Sequence, residues 1–202
     1  MTMPARAALV LLAVVASGCA GTSAPPAPGQ SRGVPPDLRG RTVILLPIQQ
    51  NLGVRGDVDA EIRFSFTDLG RDVEWVLEND VQEILDRTPG LDSRTRGLPV
   101  SIFDQAEVDR VGDPLYGQLR RMSALVEADA ILIPLTATFE PNETIVNGLP
   151  RVRITATLVE PRTGRVMWYG IEEGGDFDQS DPRALASAVE ALASTVFWYA
   201  GD

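Results

Sequence analysis

Apolar positions recur along this chain at two spacings, and the switch between them divides it into elements. From Arg151 to Val159, Val152, Ile154, Ala156 and Leu158 alternate with Arg153, Thr155 and Thr157. That is the period of two of a strand with one face in water. Before it runs Ile131-Leu132-Ile133-Pro134-Leu135, opened by Ala128-Asp129-Ala130; after it, beyond Pro161-Arg162-Thr163-Gly164, runs Val166-Met167-Trp168-Tyr169. Three β-branched and aromatic runs broken by Gly, Pro and Asn clusters predict an antiparallel meander over residues 128–171. Gly164 can supply the positive φ of the last tight turn. Trp168 and Tyr169, being neighbours on a strand, point to opposite faces, one expected in the core and one half-exposed.

Upstream, Thr42–Gln50 is almost continuously apolar, the pattern of a strand buried on both faces, with Pro47 weakening its end. Asp59–Leu69 fits either period; Asp57 as a cap and Gly70 as a stop favour a helix. Val73–Leu77 reads as a short strand. Asn79-Asp80-Val81-Gln82 has the capping-box spacing and predicts a helix through Val81, Ile84 and Leu85, stopping before Pro89-Gly90. Leu98–Phe103 suggests an edge strand, and Asp104-Gln105-Ala106-Glu107 a second capping box opening a brief helix to Val111. Asp113-Pro114 sets a cap before a helix with Leu115, Leu119, Met122, Leu125 and Val126 on one side. Asp181-Pro182 starts the last helix, with Leu185, Val189, Leu192, Val196 and Tyr199 at amphipathic spacing. The sum is one α/β domain over residues 41–202: a mixed sheet of about five strands, ending in an antiparallel meander, with helices packed against it.

The first forty residues follow neither period. Met1–Gly18 places Arg6 before an apolar segment, Ala7–Ala16, and small residues before Cys19, the layout of a secretory signal. Val15-Ala16-Ser17-Gly18-Cys19 resembles the bacterial lipobox, which implies cleavage after Gly18 and acylation of Cys19, the chain's single cysteine. More than one acyl chain, at ~0.8 kcal/mol per buried methylene, makes a stable anchor. Ala20 at the next position favours the outer membrane. Residues 19–40, rich in Pro, Gly, Ser and Ala, are expected to be a tether, spanning ~25 Å as a coil.

Composition narrows the chemistry. The chain has 202 residues, a net charge of −10 and 44% hydrophobic residues. Every basic residue is arginine and histidine is absent, which removes the commonest general base and metal ligand. Ser/His/Asp, Ser/Lys and Cys/His schemes are therefore excluded. Acidic balance disfavours nucleic acid and bare anionic lipid as partners. The carboxylates left are Asp57 with Asp59, and Glu172 and Glu173 followed by Asp176 and Asp178; the latter could offer oxygen ligands to calcium but has no recognised loop spacing. No catalytic, cofactor-binding or metal-ligating residue is assigned, and no small-molecule substrate is expected.

Val43–Ile48, Ala128-Asp129-Ala130-Ile131-Leu132 and Leu158-Val159-Glu160-Pro161-Arg162-Thr163-Gly164-Arg165-Val166-Met167-Trp168 together resemble a domain shared by bacterial envelope proteins. These are the outer-membrane lipoprotein activators of penicillin-binding proteins, the curli-secretion lipoprotein and the amino-terminal domain of TolB. Glu160 stands where that pattern has aspartate, and Pro134 where it often has glycine. The resemblance implies a non-catalytic, periplasm-facing lipoprotein that binds and modulates another envelope protein, such as a cell-wall synthase. The alternative is a structural subunit of an envelope assembly or secretion complex; the polar stretch Phe139–Pro150 is too short for a pair of pore hairpins. Trp168, Tyr169 and Trp198 are the candidate partner-contacting aromatics, although the triplet Phe197-Trp198-Tyr199 is more often packing at a helix end than a docking patch.

Overall fold

Thr42–Leu45 (β2) carries apolar side chains on both sides because it lies inside the sheet, between two parallel neighbours. The computed structural model describes residues 30–88, 90, 93–105, 107–140 and 150–197. In chain order the elements are β1 (Gln30–Arg32), β2, β3 (Gln50–Leu52), α1 (Val58–Leu69), β4 (Glu74–Leu77), α2 (Glu78–Arg87), α3 (Ile102–Gln105), α4 (Leu115–Val126), β5 (Ala130–Glu140), β6 (Arg151–Glu160), β7 (Arg165–Glu173) and α5 (Pro182–Val196). The strands form one sheet in the order β1-β7-β6-β5-β2-β4, with β3 also on β5. The sheet has seven strands where the sequence suggested about five, because β1 and β3 were not anticipated.

The meander is antiparallel throughout, with Leu132 opposite Leu158 and Leu158 opposite Trp168. The apolar run of residues 42–52 stays beside β5 along its whole length. Leu46 and Gln49 donate to the Leu132 and Pro134 carbonyls at 3.0 and 3.1 Å, so Pro47, which has no N–H, interrupts the strand without diverting it. The α1 segment is helical: Asp57 accepts from the Ala60 N–H at 3.0 Å, and the Gly70 N–H closes on the Phe66 carbonyl. Asp181 caps α5 in the same way, with proline at the first helical position.

Each face of the sheet carries its own core. Val43, Leu45, Leu132, Ile154, Leu158 and Trp168 lie under α1 and α5. Ile44, Leu46, Ile131, Ile133, Val159 and Tyr169 lie under α2, α4 and the segment 98–111. Thr155 and Thr157, expected in water, are therefore buried, and Thr157 Oγ1 donates to the Trp168 carbonyl at 2.8 Å. The cover is the same segment that was expected to form an edge strand and a capping-box helix. It forms neither: on both sides of the single turn α3 it runs irregularly, and Leu98, Val100, Phe103, Val108 and Val111 drop onto the sheet. Two cap expectations also change. Helix α2 begins at Glu78 with no side-chain cap, and Gln82 instead holds Thr95. Pro114 flanks α4 while Asp113 accepts from the Gly117 N–H at 3.0 Å.

The domain begins earlier than residue 41. Gln30–Arg32 pairs antiparallel with Tyr169–Ile171, and Leu38 is fully buried in the α1/α5 core. Arg32 donates to the Val108 carbonyl and pairs with Glu107 at 2.8 Å and Asp109 at 3.4 Å. Residues 30–40 are thus a strap on the fold, not part of a tether. Among the described residues no helix is long and apolar enough to cross a membrane.

Candidate functional site

Of the aromatics singled out from sequence, Trp168 and Tyr169 do fall on opposite faces, but both are buried. Trp168 is wholly enclosed beneath α5, lying over Gly170, where a Cβ would come within 2.7 Å of its Cη2. Tyr169 stacks on Phe103 with ring centroids 6.2 Å apart. Burial, then the nearby Asp104 carboxylate, push its hydroxyl above the usual tyrosine range. Neither ring can reach a partner from this conformation, which corrects their assignment as docking residues. The reason is the 98–111 cover on one face and α5 on the other. Trp198 and Cys19 lie outside the described residues.

A third aromatic group went unseen. Phe66, Trp75 and Phe197 meet edge to face at 5.7–6.2 Å, where α1, β4 and the end of α5 converge. Each such pair contributes about 0.5–1.5 kcal/mol beyond its area. Trp75 Nε1 donates to the Gly70 carbonyl at 2.9 Å, and Gly70 leaves room for the Phe197 ring. Phe197 is thus helix-end packing. Phe64, by contrast, is exposed at 67%, as its position off the Ile62–Phe66 side of a helix requires. Leu52 is exposed at 57%, at the end of β3.

The carboxylates are engaged. Asp57 caps α1. Asp59 accepts from the Ile48 N–H at 2.7 Å and shares Arg96 with Glu78, both ion pairs being 2.7 Å. This triad closes the carboxyl ends of β2 and β4, the place where open α/β sheets commonly bind ligands. The recess left there, lined by Leu45, Pro47, Ile62 and Leu77 besides the acids, measures about 20 Å³, room for about one water. Arg151 bridges Asp176 and Glu173, and Arg153 pairs with Glu173 at 2.9 Å. The hydrogen bond from Arg151 holds the Asp176 carboxyl below its ordinary range. Asp178 turns back on Ser180. Glu172 is half-buried under α5; burial raises its carboxyl above the usual range, against the hydrogen bond donated by Thr195 at 2.9 Å. Among the described residues no three His, Cys, Asp or Glu side chains are grouped to hold a metal. Asp129, at the α4–β5 corner, accepts from the Thr42 N–H at 3.2 Å and donates its own N–H to the Thr42 carbonyl, tying β2 to β5.

No family model matches the chain, and no curated protein matches it in sequence. Solved structures do resemble it. The PelC dodecamer from Paraburkholderia phytofirmans is 13% identical over 83% of this chain and 94% of that one, with a TM-score of 0.47. Lipoprotein GNA1162 from Neisseria meningitidis is 17% identical over 77% and 97%, with a TM-score of 0.46. The LpoB C-terminal domain from Escherichia coli is 13% identical over 68% and 84%, with a TM-score of 0.41.

Proposed function

We propose that the protein is a lipid-anchored component of the bacterial outer membrane. Its α/β domain docks on another envelope protein and modulates it without chemistry of its own. The observation that carries this reading is the state of the carboxylates. Of the acids singled out from sequence, Asp57 caps a helix, Asp59 holds the Ile48 N–H and Arg96, Glu173 and Asp176 are paired with Arg151 and Arg153, Asp178 accepts from Ser180, and Glu172 accepts from Thr195. Cys19 supplies the anchor. Only ten residues, Ala20–Gly29, separate it from β1, and even drawn straight they reach no more than ~36 Å. The domain therefore works close to the bilayer, within reach of membrane-bound proteins rather than of distant ones.

Three measurements test this. Cys19→Ser should move the folded protein from the membrane to the soluble periplasmic fraction; retention in the membrane would sink the anchor. Cross-linking in cells should then catch a defined envelope protein with the wild-type chain. Turnover of a wall substrate by the purified protein, lost on carboxylate substitution, would replace docking with catalysis.

A further inference from the structure

The fold treats the two edges of its sheet differently. Along β7 the outward backbone is met by β1 at Tyr169–Ile171 and by residues 109–111 at Gly164–Val166. Between them Gly33, at φ 77°, folds over the Met167 carbonyl, which a Cβ would approach to 2.7 Å. Arg32 ties the two covers together through Glu107, Val108 and Asp109. That edge is sealed.

At the other edge β4 pairs with β2 alone, and no other described strand lies beside it. Glu74 donates inward to the Arg41 carbonyl at 3.0 Å. Strand alternation therefore turns the N–H and C=O of Trp75, and the N–H of Leu77, outward. The strand is held firmly in place by the Phe66–Trp75–Phe197 cluster and the Trp75–Gly70 hydrogen bond, so it is a ready template.

Charge selects what can add to it. From Asp72 to Asp80 the chain carries four carboxylates, Asp72, Glu74, Glu78 and Asp80, and no arginine. Glu78 is shared with Arg96, but Asp72 and Asp80 stand exposed at either end of the strand. In an antiparallel pairing of two copies, the acids before one strand would meet the acids after the other. Like charges so placed oppose self-addition. The same charges attract a strand with cations near its ends.

We infer that the β4 edge receives an extended segment of another protein, bearing arginine or lysine beside apolar residues. It adds to the sheet through main-chain hydrogen bonds to Trp75 and Leu77. This names a contact surface for the docking role proposed above and rests on that role.

The test uses the full chain in detergent and a short synthetic peptide alternating arginine with valine, against a glutamate–valine peptide of equal length. The arginine peptide should slow amide exchange at Trp75 and Leu77, leave Tyr169–Ile171 unchanged, and bind at least about tenfold more tightly than the acidic one. Leu77→Pro removes the outward donor where the backbone, at φ −84° and ψ 161°, is close to what proline adopts, and it spares the β2 ladder. It should weaken the peptide about tenfold with an unchanged circular dichroism spectrum. Should that variant fail to fold, Asp72→Asn with Asp80→Asn provides the second reading, and must weaken the arginine peptide selectively.

Equal binding of both peptides, or no protection at Trp75 and Leu77, overturns the inference. So does a doubled mass with those amides protected and no peptide present, which would make the occupant a second copy. Protection in the free chain that is lost on removing residues 198–202 would mean the chain closes its own edge, and also overturns it. A photo-cross-linker that catches a protein from Phe64 but never from Asp80, with the peptides inert, would end the edge assignment and leave the docking role standing.

Discussion

Leu38→Ala separates a strap from a tether. Leu38 sits in a stretch whose composition predicts a solvated linker, yet its side chain is wholly enclosed in the α1/α5 core, whereas Val34, four residues earlier, is 80% exposed. Truncating a fully buried leucine removes its transfer free energy and leaves a cavity, together costing about 2–5 kcal/mol. Taking ~3 kcal/mol, and a shift of ~2–4 °C per kcal/mol for a domain of this size, the melting temperature should fall by roughly 6–12 °C. Val34→Ala should stay within about 0.5 kcal/mol of wild type. Urea unfolding followed by circular dichroism, on both variants and on a chain lacking Ala20–Gly29, gives the comparison. The Leu38 midpoint should drop with an unchanged slope, since the surface exposed on unfolding hardly alters. Removal of Ala20–Gly29 should leave the midpoint where it was. If Leu38→Ala melts with Val34→Ala, residues 30–40 are not packed and the domain does begin near residue 41.

Gly170→Ala places a methyl against the Trp168 indole, a contact that neither the β7 backbone nor the enclosed ring can relieve; about 1–3 kcal/mol of destabilisation is expected by urea unfolding, and a neutral result would show the indole free to move. Glu172 has a folded-state pKa raised by burial, so the unfolded chain ionises it first as pH rises. The stability held by its neutral form is present below the ordinary glutamate range and lost as pH rises through the raised folded value. Glu172→Gln should therefore gain on wild type between pH 4 and pH 7, and a pH-independent difference in melting temperature would contradict the burial argument.

How much of this could be read in advance follows the range of the interactions. Local patterns were sufficient for the caps Asp57 and Asp181, for the helix over Val58–Leu69, for the Gly164 turn, and for the three strands of the meander, since each is decided within a few residues. Even the exposure of Phe64 was implicit once a helix was chosen over a strand. The strap was not legible, because Gln-Ser-Arg has no apolar period and one leucine among prolines does not announce a core residue. Nor were the candidate site residues. Trp168 and Tyr169 were assigned to opposite faces by alternation, but whether a face is wet depends on what the chain later lays over it. Here α5 and the irregular 98–111 segment cover both.

The acids divide the same way. Sequence supplied their number, their spacing and the absence of histidine and lysine to work with them. Only the folded chain brought Arg96 onto Asp59 and Glu78, and Arg151 onto Glu173 and Asp176. It also left β4 as the sheet edge that no described strand covers. Periodicity records which residues prefer water, a property each side chain carries alone; burial, ion pairing and edge closure depend on partners tens of residues away, which are chosen when the chain closes on itself.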